Sequence, residues 1–222
     1  MEISPIATIH TPFPEKFGIP RQSGLAGTDG IIVFNEKYRN HDAVRGLEGY
    51  SHIWLIWQFS QSVREDWSPT VRPPRLGGNT RMGVFATRSP FRPNAMGLSS
   101  VELIKIDLTA EDAPLLYVRG ADMIDGTPIY DIKPYLAFTD SHPDARCGFA
   151  QEKYGYSLEA QIPPELIDKI PLESRQALYE VLQNDPRPAY QEDPDRVYKM
   201  SFLTFTVEFT VCQTILNVIN IY

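Results

Sequence analysis

Hydrophobic and polar residues alternate most strictly near the end of the chain, where residues 203–211 read Leu-Thr-Phe-Thr-Val-Glu-Phe-Thr-Val. Because successive side chains of a β-strand point to opposite faces, this pattern predicts a strand with one buried and one solvent-facing side. A denser apolar run, YSHIWLIWQF at residues 50–59, predicts a buried strand, and His52 within it is expected to be a core histidine.

Further short strand patterns occur in the first 140 residues, separated by long loops rich in proline and glycine. Strands are predicted at residues 3–9, 30–34, 82–87, 98–107, 115–120 and 128–135. A short helix is predicted over residues 38–47. Short strands with long loops favour a barrel or a sandwich over a doubly wound α/β sheet. We therefore expect a mainly β fold.

The pattern changes after about residue 145. The segments PPELIDKI and LESRQALYEVLQN predict two helices, and Leu178, Val181 and Leu182 fall on one face of the second. We expect a β-barrel domain over residues 1–145 and a smaller α+β domain over residues 146–222.

Composition excludes several classes of protein. No apolar run approaches the roughly 18 residues of a membrane span, and residues 1–9 lack the features of a signal peptide.

The two cysteines, Cys147 and Cys212, have no metal-type spacing and are expected to be reduced thiols of a cytoplasmic protein, with a disulfide as the alternative. The four histidines lie far apart, so no metal site is predicted.

The distribution of charge matters more than its sum. The net charge of −7 argues against a broad nucleic-acid surface. From Trp67 to Val101, however, there is no acidic residue and no lysine, while five arginines occur: Arg72, Arg75, Arg81, Arg88 and Arg92. Arginine suits planar, bidentate or stacked recognition. We therefore favour a local anion site in this window over a merely solvated loop.

The irregular loops carry many hydrogen-bonding side chains. These are Gln22, Ser23, Ser60, Gln61, Arg88, Asp122, Asp125 and Thr127. If a barrel gathers them, they form a small polar pocket beside aromatic walls. The segment ADMIDGTPIYDIKPY also fits a plain hairpin turn, and both interpretations stay open.

Five long and irregular motifs carry a family resemblance. They are PRQSGL, AVRGLEGYSHIWLIWQF, TVRPPRLGGNTRMGVFATRSPFRPNAMGLSSVEL, DMIDGTPIYDIKPYLAF and DPRPAY. Together they resemble the TsaA-like, or TrmO, family of S-adenosylmethionine-dependent tRNA methyltransferases, over most of residues 3–150 and again over 174–190. The resemblance implies a single-sheeted β-barrel methyltransferase domain, which agrees with the absence of any Gly-x-Gly turn of the Rossmann type.

The resemblance also implies the reaction and its partners. The expected substrate is tRNA, methylated in its anticodon loop at N6 of the threonylcarbamoyladenosine just 3′ of the anticodon, and the expected assembly is a homodimer. Ten residues match positions that surround S-adenosylmethionine: Ser23, Gly24, Leu25, Ser60, Gln61, Arg88, Leu98, Asp125, Gly126 and Thr127. Gln22 and Asp122 join them as polar groups of the same predicted pocket.

Individual roles are expected from the chemistry of S-adenosylmethionine and of the threonylcarbamoyladenosine that it methylates. Arg88 is expected to neutralise the carboxylate of the cofactor or to order the pocket, while Arg92 faces the carboxylate of the threonyl group. Backbone groups around Leu98 are expected to meet the adenine edge. Asp131 and Tyr135 suit a general base by residue type only, so no base is assigned.

The motif DPRPAY offers Arg187 and Tyr190 on a loop stiffened by proline, and we expect both to contact the RNA substrate. Unpaired RNA bases are recognised by stacking on aromatic rings and arginine. The alternative is a rigid connector between a helix and the final strands.

Three functions therefore compete: the tRNA methyltransferase, a non-catalytic module that binds tRNA or the cofactor, and a methyltransferase for a small molecule. The tail CQTILNVINIY departs from the ending expected for the family, which leaves the pairing of the last strand open.

Overall fold

The protein is a mainly β structure whose first part forms a closed barrel. The computed structural model describes residues 2–63, 65–77, 79–153, 155–187 and 193–222, without the side chains of Arg75, Glu152 and Lys153. The barrel strands are β1 (Ala7–His10), β2 (Asp29–Phe34), β3 (His52–Gln58), β6 (Met96–Asp107), β7 (Leu115–Arg119) and β8 (Thr127–Pro134). They pair in the order β1-β2-β7-β6-β3-β8, and β8 closes the ring on β1.

The barrel interior is built by every second residue of its strands. On β3 the side chains of Ile53, Leu55 and Trp57 are buried, and on the neighbouring β6 those of Ser99 and Val101 are buried too. This alternation is the two-residue period of a strand that faces a core. The expectation of a buried strand over YSHIWLIWQF is confirmed, but His52 itself is exposed and meets the hydroxyl of Ser51 at 3.0 Å.

Three local predictions were wrong. Only the end of the segment 3–9 pairs, as β1, because Pro5 interrupts its first half. The predicted helix over 38–47 is replaced by short 3₁₀ turns at Glu36–Tyr38, His41–Val44 and Leu47–Gly49. The predicted strand 82–87 is cut to β5 (Met82–Gly83), which pairs with β4 (Thr70–Val71) before a 3₁₀ turn at Val84–Ala86.

A second hydrophobic core lies in the C-terminal part of the chain. After the short helix α1 (Ala137–Asp140), the elements are β9 (Glu159–Gln161), α2 (Pro164–Ile167), α3 (Leu172–Gln183), β10 (Tyr198–Phe202), β11 (Phe205–Cys212) and β12 (Ile215–Ile221). The sheet order is β10-β11-β12-β9, and only β9 and β12 run parallel within it. The buried residues of α3 include the predicted Leu178, Val181 and Leu182. The tail therefore does form a strand, β12, paired on both sides.

The segment between β1 and β2 connects the two cores. Phe13 and Ala26 are buried in the C-terminal core, and Phe17 and Ile19 pack against it. The guanidinium of Arg21 donates to the backbone carbonyls of Asp185 and Arg187, the former at 3.0 Å. This connecting segment, which joins the first two strands of the barrel, thus ties the C-terminal core to the barrel.

The expected architecture, a single-sheeted β-barrel with a smaller α+β unit, is confirmed. Among the described residues, none of the helices combines the length and the apolar character that a membrane crossing requires.

A close contact inside the barrel yields a test of the fold. Trp57 of β3 lies directly opposite Gly97 of β6, and a Cβ atom at residue 97 would overlap the indole ring. We expect Gly97→Ala to lower the free energy of unfolding by about 1–3 kcal/mol, the usual cost of overpacking a core. Urea unfolding measures this change.

The matched control is Gly49→Ala. A Cβ atom at residue 49 would meet nothing within 4 Å. A surface substitution of this kind is expected to change stability by less than about 0.5 kcal/mol. Equal effects of the two alanines would contradict a special role for the contact of Trp57 with Gly97.

Candidate active site

A large cleft opens where the start of β6, the turn after β3 and the 87–93 loop meet the connecting segment. Its volume is about 1590 Å³. A typical small-molecule pocket measures roughly 300–1,000 Å³. The cleft therefore has room for a cofactor and for part of a larger substrate.

A buried chain of hydrogen bonds forms one wall of the cleft. The indole N–H of Trp57 donates to the hydroxyl of Ser99 at 3.0 Å, and this hydroxyl donates to the Asp122 carboxylate at 2.6 Å. The backbone N–H of Ser23 also donates to Asp122. These bonds fix the orientation of the carboxyl group at the cleft surface.

Burial raises the pKa of Asp122 above its ordinary value, although the hydrogen bonds from Ser99 and Ser23 and the positive charge of Arg88 act in the opposite direction. Asp122 forms no ion pair within the part of the chain that the structure describes. A buried carboxylate without a direct cationic partner is costly. A cationic ligand in the cleft would offset that cost.

Arg88 and Arg92 lie on the loop between β5 and β6 and are held by different partners. The guanidinium of Arg88 donates to the side-chain oxygen of Gln22. The guanidinium of Arg92 donates to the backbone carbonyl of Thr87 at 3.1 Å, which also shapes the loop. Both arginines line the cleft.

The described lining of the cleft is predominantly cationic. Its basic residues are Lys16, Arg21, Arg72, Arg81, Arg88, Arg92 and Arg187, and its acidic residues are Glu65, Asp66 and Asp122. A protein with net charge −7 therefore presents a locally positive cleft, as the arginine window predicts. Such a cleft attracts anions.

Ten of the residues predicted for the site line this cleft. They are Gln22, Ser23, Ser60, Gln61, Arg88, Arg92, Leu98, Asp122, Thr127 and Arg187. Leu98 is exposed on β6 and offers an apolar surface. Ser60 and Gln61 belong to a 3₁₀ turn whose carbonyl at Gln61 accepts a hydrogen bond from Lys16 at 2.6 Å.

Four predicted cofactor residues are not part of the cleft lining, although all of them are described and are close in sequence to residues that are. Gly24 and Leu25 are tied to other parts of the chain, through Gly120 at 2.9 Å and Asn184 at 2.8 Å respectively. Asp125 accepts from the backbone N–H of Thr11 at 3.1 Å, and the N–H of the neighbouring Gly126 donates to Ile9 at 3.0 Å. Since none of the four lines the cleft formed by one chain, their predicted contact with the cofactor stays a prediction.

Arg187 is already engaged within the protein. It is buried, and two of its guanidinium nitrogens lie 2.9 and 3.0 Å from the carboxylate oxygens of Asp185. Asp185 also accepts from the hydroxyl of Tyr156 at 3.1 Å. Arg187 thus orders the wall of the cleft, and its contact with RNA stays a prediction. Tyr190 lies outside the described residues.

The two side chains that suit a base by type lie outside the cleft lining. Asp131 pairs with Lys133 at 3.0 Å and accepts from the backbone N–H of Ile132 at 3.0 Å. The ring of Tyr135 lies against Trp54, with 5.4 Å between ring centroids. Both side chains have structural contacts, which agrees with leaving the base unassigned.

Two features of the cleft could not be predicted from the sequence. The pairing of Trp57 with Ser99 depends on the register of β3 against β6, for which the sequence holds no local signal. Ser99 merely continues an alternating strand pattern. The exposed rings of Trp67 and Phe85 stack on each other at the rim, and a helical or strand period cannot reveal them.

Comparison with known proteins agrees with this geometry. The family model for the tRNA-methyltransferase O N-terminal domain matches residues 8–141, and that for the TrmO C-terminal domain matches residues 153–222. The tRNA (adenine(37)-N6)-methyltransferase of Escherichia coli (strain K12) is 44% identical over 93% of this chain and 91% of its own length.

Two further comparisons concern the fold and the barrel. A crystal structure of TrmO from Pseudomonas aeruginosa superimposes with a TM-score of 0.80 at 30% identity, covering 100% of this chain and 96% of that chain. A probable S-adenosyl-L-methionine-binding protein of Methanothermobacter thermautotrophicus is 36% identical over 64% of this chain and 94% of its own length.

The raised pKa of Asp122 leads to a test of its environment by Asp122→Asn. The folded protein holds the Asp122 proton at pH values where the unfolded chain has already lost it. As pH rises from the ordinary value of 3.8 toward the raised pKa, the wild type should therefore lose stability relative to the variant, which does not titrate there. Urea unfolding across that pH range measures the difference.

Ser99→Ala provides a second test of the raised pKa of Asp122. It removes a hydrogen bond that favours the ionised carboxylate, so the loss of stability should extend to higher pH than in the wild type. A pH-independent difference between wild type and Asp122→Asn would contradict the raised pKa.

Proposed function

This chain belongs to the TrmO family of tRNA methyltransferases, and on that premise we propose that it transfers a methyl group from S-adenosylmethionine to N6 of adenosine 37 in tRNA. The acceptor is the threonylcarbamoyl-modified adenosine on the 3′ side of the anticodon. The observation that carries this proposal is the positively charged cleft, which joins the buried Asp122 to the arginines of the ATRSPFRPN loop.

The residues of the cleft fit S-adenosylmethionine, which has a carboxylate, an ammonium group, a sulfonium and an adenine ring. Arg88 suits the carboxylate, because guanidinium groups bind carboxylates with strong charge-assisted hydrogen bonds. Asp122 suits the cationic part, since it is buried without an ion-pair partner among the described residues. Trp57, Phe59 and Leu98 contribute apolar surface for the flat ring.

When bound, S-adenosylmethionine would supply a methyl group: the acceptor nitrogen would bond to the methyl carbon as the carbon–sulfur bond breaks, the sulfur would leave as a neutral thioether, and the N6 proton would pass to solvent. The protein's own contribution is then alignment and exclusion of water. The bonds from Ser99 and Ser23 keep Asp122 fixed, so that its position does not depend on reorganisation during the reaction. Arg92 faces the same cleft and suits the carboxylate of the threonyl group.

The finer parts of the proposal come from the family resemblance, except the cytoplasmic location, which comes from the two cysteines being expected as reduced thiols. They are a homodimer, a cytoplasmic location and a contribution of Gly24, Leu25, Asp125, Gly126 and Tyr190 to ligand binding. A tRNA substrate supports the cytoplasmic location. The four described residues of this set adjoin residues that line the cleft, since Gly24 and Leu25 follow Ser23 while Asp125 and Gly126 precede Thr127, and this proximity supports their contribution.

Methyl transfer can be tested directly. Purified protein and S-adenosylmethionine are incubated with tRNA that carries or lacks the threonylcarbamoyl group, and the nucleosides are analysed by mass spectrometry. We expect a gain of one methyl group on the modified adenosine only. Cofactor binding without any methyl transfer would instead indicate a non-catalytic binding module.

The role of Arg88 gives a quantitative prediction. Arg88→Gln removes the positive charge while keeping a side chain that can form hydrogen bonds. We expect the dissociation constant for S-adenosylmethionine, measured by calorimetry, to rise about tenfold or more, as is usual when a charged hydrogen-bond partner is lost.

The control is Arg45→Gln, because Arg45 is an exposed arginine that pairs only locally with Asp42 and lies outside the cleft lining. Its affinity for S-adenosylmethionine should equal that of the wild type. Unchanged affinity in Arg88→Gln would show that Arg88 does not hold the cofactor.

A further inference from the structure

Two exposed aromatic rings stack on each other at the rim of the cleft. The ring centroids of Trp67 and Phe85 are 6.2 Å apart, and their planes differ by 30°. Trp67 is 52% exposed and Phe85 is 72% exposed. Neither ring belongs to the barrel core or to the C-terminal core.

The backbone holds this pair in place. Trp67 precedes β4 and Phe85 follows β5, and the β4–β5 ladder brings the two segments side by side. The N–H of Val84 donates to the carbonyl of Pro69 at 2.9 Å. Val84 is buried, so the turn that contains it is anchored while the next side chain, that of Phe85, faces solvent.

Arginines accompany the rings on the same ladder. Arg72 follows β4, and Arg81 precedes β5 and donates to the hydroxyl of Thr70 at 3.1 Å. Both arginines and Trp67 line the cleft, as do Glu65 and Asp66, which immediately precede Trp67 in the sequence. Flat apolar rings next to arginine match the two repeating parts of a single-stranded nucleic acid, its bases and its phosphates.

We propose that Trp67 and Phe85 form a stacking platform for an unpaired anticodon-loop base that neighbours the target adenosine, while Arg72 and Arg81 bind the phosphates of the same nucleotides. This inference rests on the proposed function, and it concerns the binding of tRNA away from the reacting atoms. The platform selects an open, single-stranded loop, because a base must leave its neighbours to lie on the rings.

The proposal is tested by the double variant Trp67→Leu with Phe85→Leu, which keeps apolar side chains but removes the flat faces. We expect the dissociation constant for the modified tRNA to rise about tenfold, within the range for removal of an aromatic residue under a base. The KM for tRNA should rise by a similar factor. The midpoint of urea unfolding should stay unchanged and so report an intact fold.

Two further sets of variants separate stacking from charge. Trp67→Phe with Phe85→Tyr retains both flat faces and should bind tRNA far more tightly than the leucine pair. The leucine pair should keep the wild-type dependence of affinity on salt, because it removes no phosphate contact. Arg72→Gln or Arg81→Gln should each reduce the slope of log affinity against log salt concentration by about one.

Several outcomes would overturn the platform. They are wild-type tRNA affinity in the leucine pair, equal losses in the leucine and aromatic pairs, and a change in oligomeric state of the leucine pair, which would indicate that the rings contact a second copy. Failure of the proposed function is distinguishable, since the wild-type protein itself would then methylate no tRNA.

Discussion

The indole ring of Trp57 lies over Gly97 across two neighbouring strands, and the cleft depends on this contact. Only a residue without a side chain leaves room for the ring, as a Cβ atom at residue 97 would overlap it. The ring position in turn directs its N–H to Ser99, and Ser99 directs its hydroxyl to Asp122. A packing contact inside the barrel thus sets the orientation of a carboxyl group at its surface. Rigid strands suit this role better than loops, because the geometry of a site is only as fixed as the residues that support it.

The second support of the cleft comes from outside the barrel. The connecting segment is buried in the C-terminal core at Phe13 and again at Ala26, and between these two residues it brings Gln22 and Ser23 to the cleft. Arg21, immediately before Gln22, donates hydrogen bonds to the backbone carbonyls of Asp185 and Arg187. The C-terminal unit therefore serves as the surface on which one wall of the cleft is built.

Sequence patterns predicted the barrel class, the buried strand β3, the helix α3 and most other strands, because regular elements leave a period of two or about three and a half residues. They failed where the chain is irregular. The segment 38–47 has helix-like spacing but folds as separate 3₁₀ turns, because Asn40 has extended and Gly46 left-handed backbone angles. Residues 82–87 are apolar like a strand, yet they pair for only two residues before the chain turns.

The part of the site that could be predicted is the part whose function follows from residue type and charge. The arginine window and the polar loop residues pointed to an anion-binding cleft, and the family motifs assigned it a cofactor. The Trp57–Ser99–Asp122 chain and the Trp67–Phe85 pair were not predictable, because each depends on which strands pair and in which register. The buried ion pair of Arg187 with Asp185 could not be predicted either, since two opposite charges on either side of Pro186 in a loop give no sign of burial.

The connecting segment also links the two halves of the protein thermodynamically. Any ligand that holds Gln22 and Ser23 in place opposes withdrawal of the same segment, and withdrawal of Phe13 would open the C-terminal core. Occupancy of the cleft is therefore coupled to the folding equilibrium of a sheet whose strands contribute no residue to the described lining of the cleft. A ligand bound in the cleft is then expected to reduce transient opening and proteolysis of the C-terminal sheet, although the ligand does not contact that sheet.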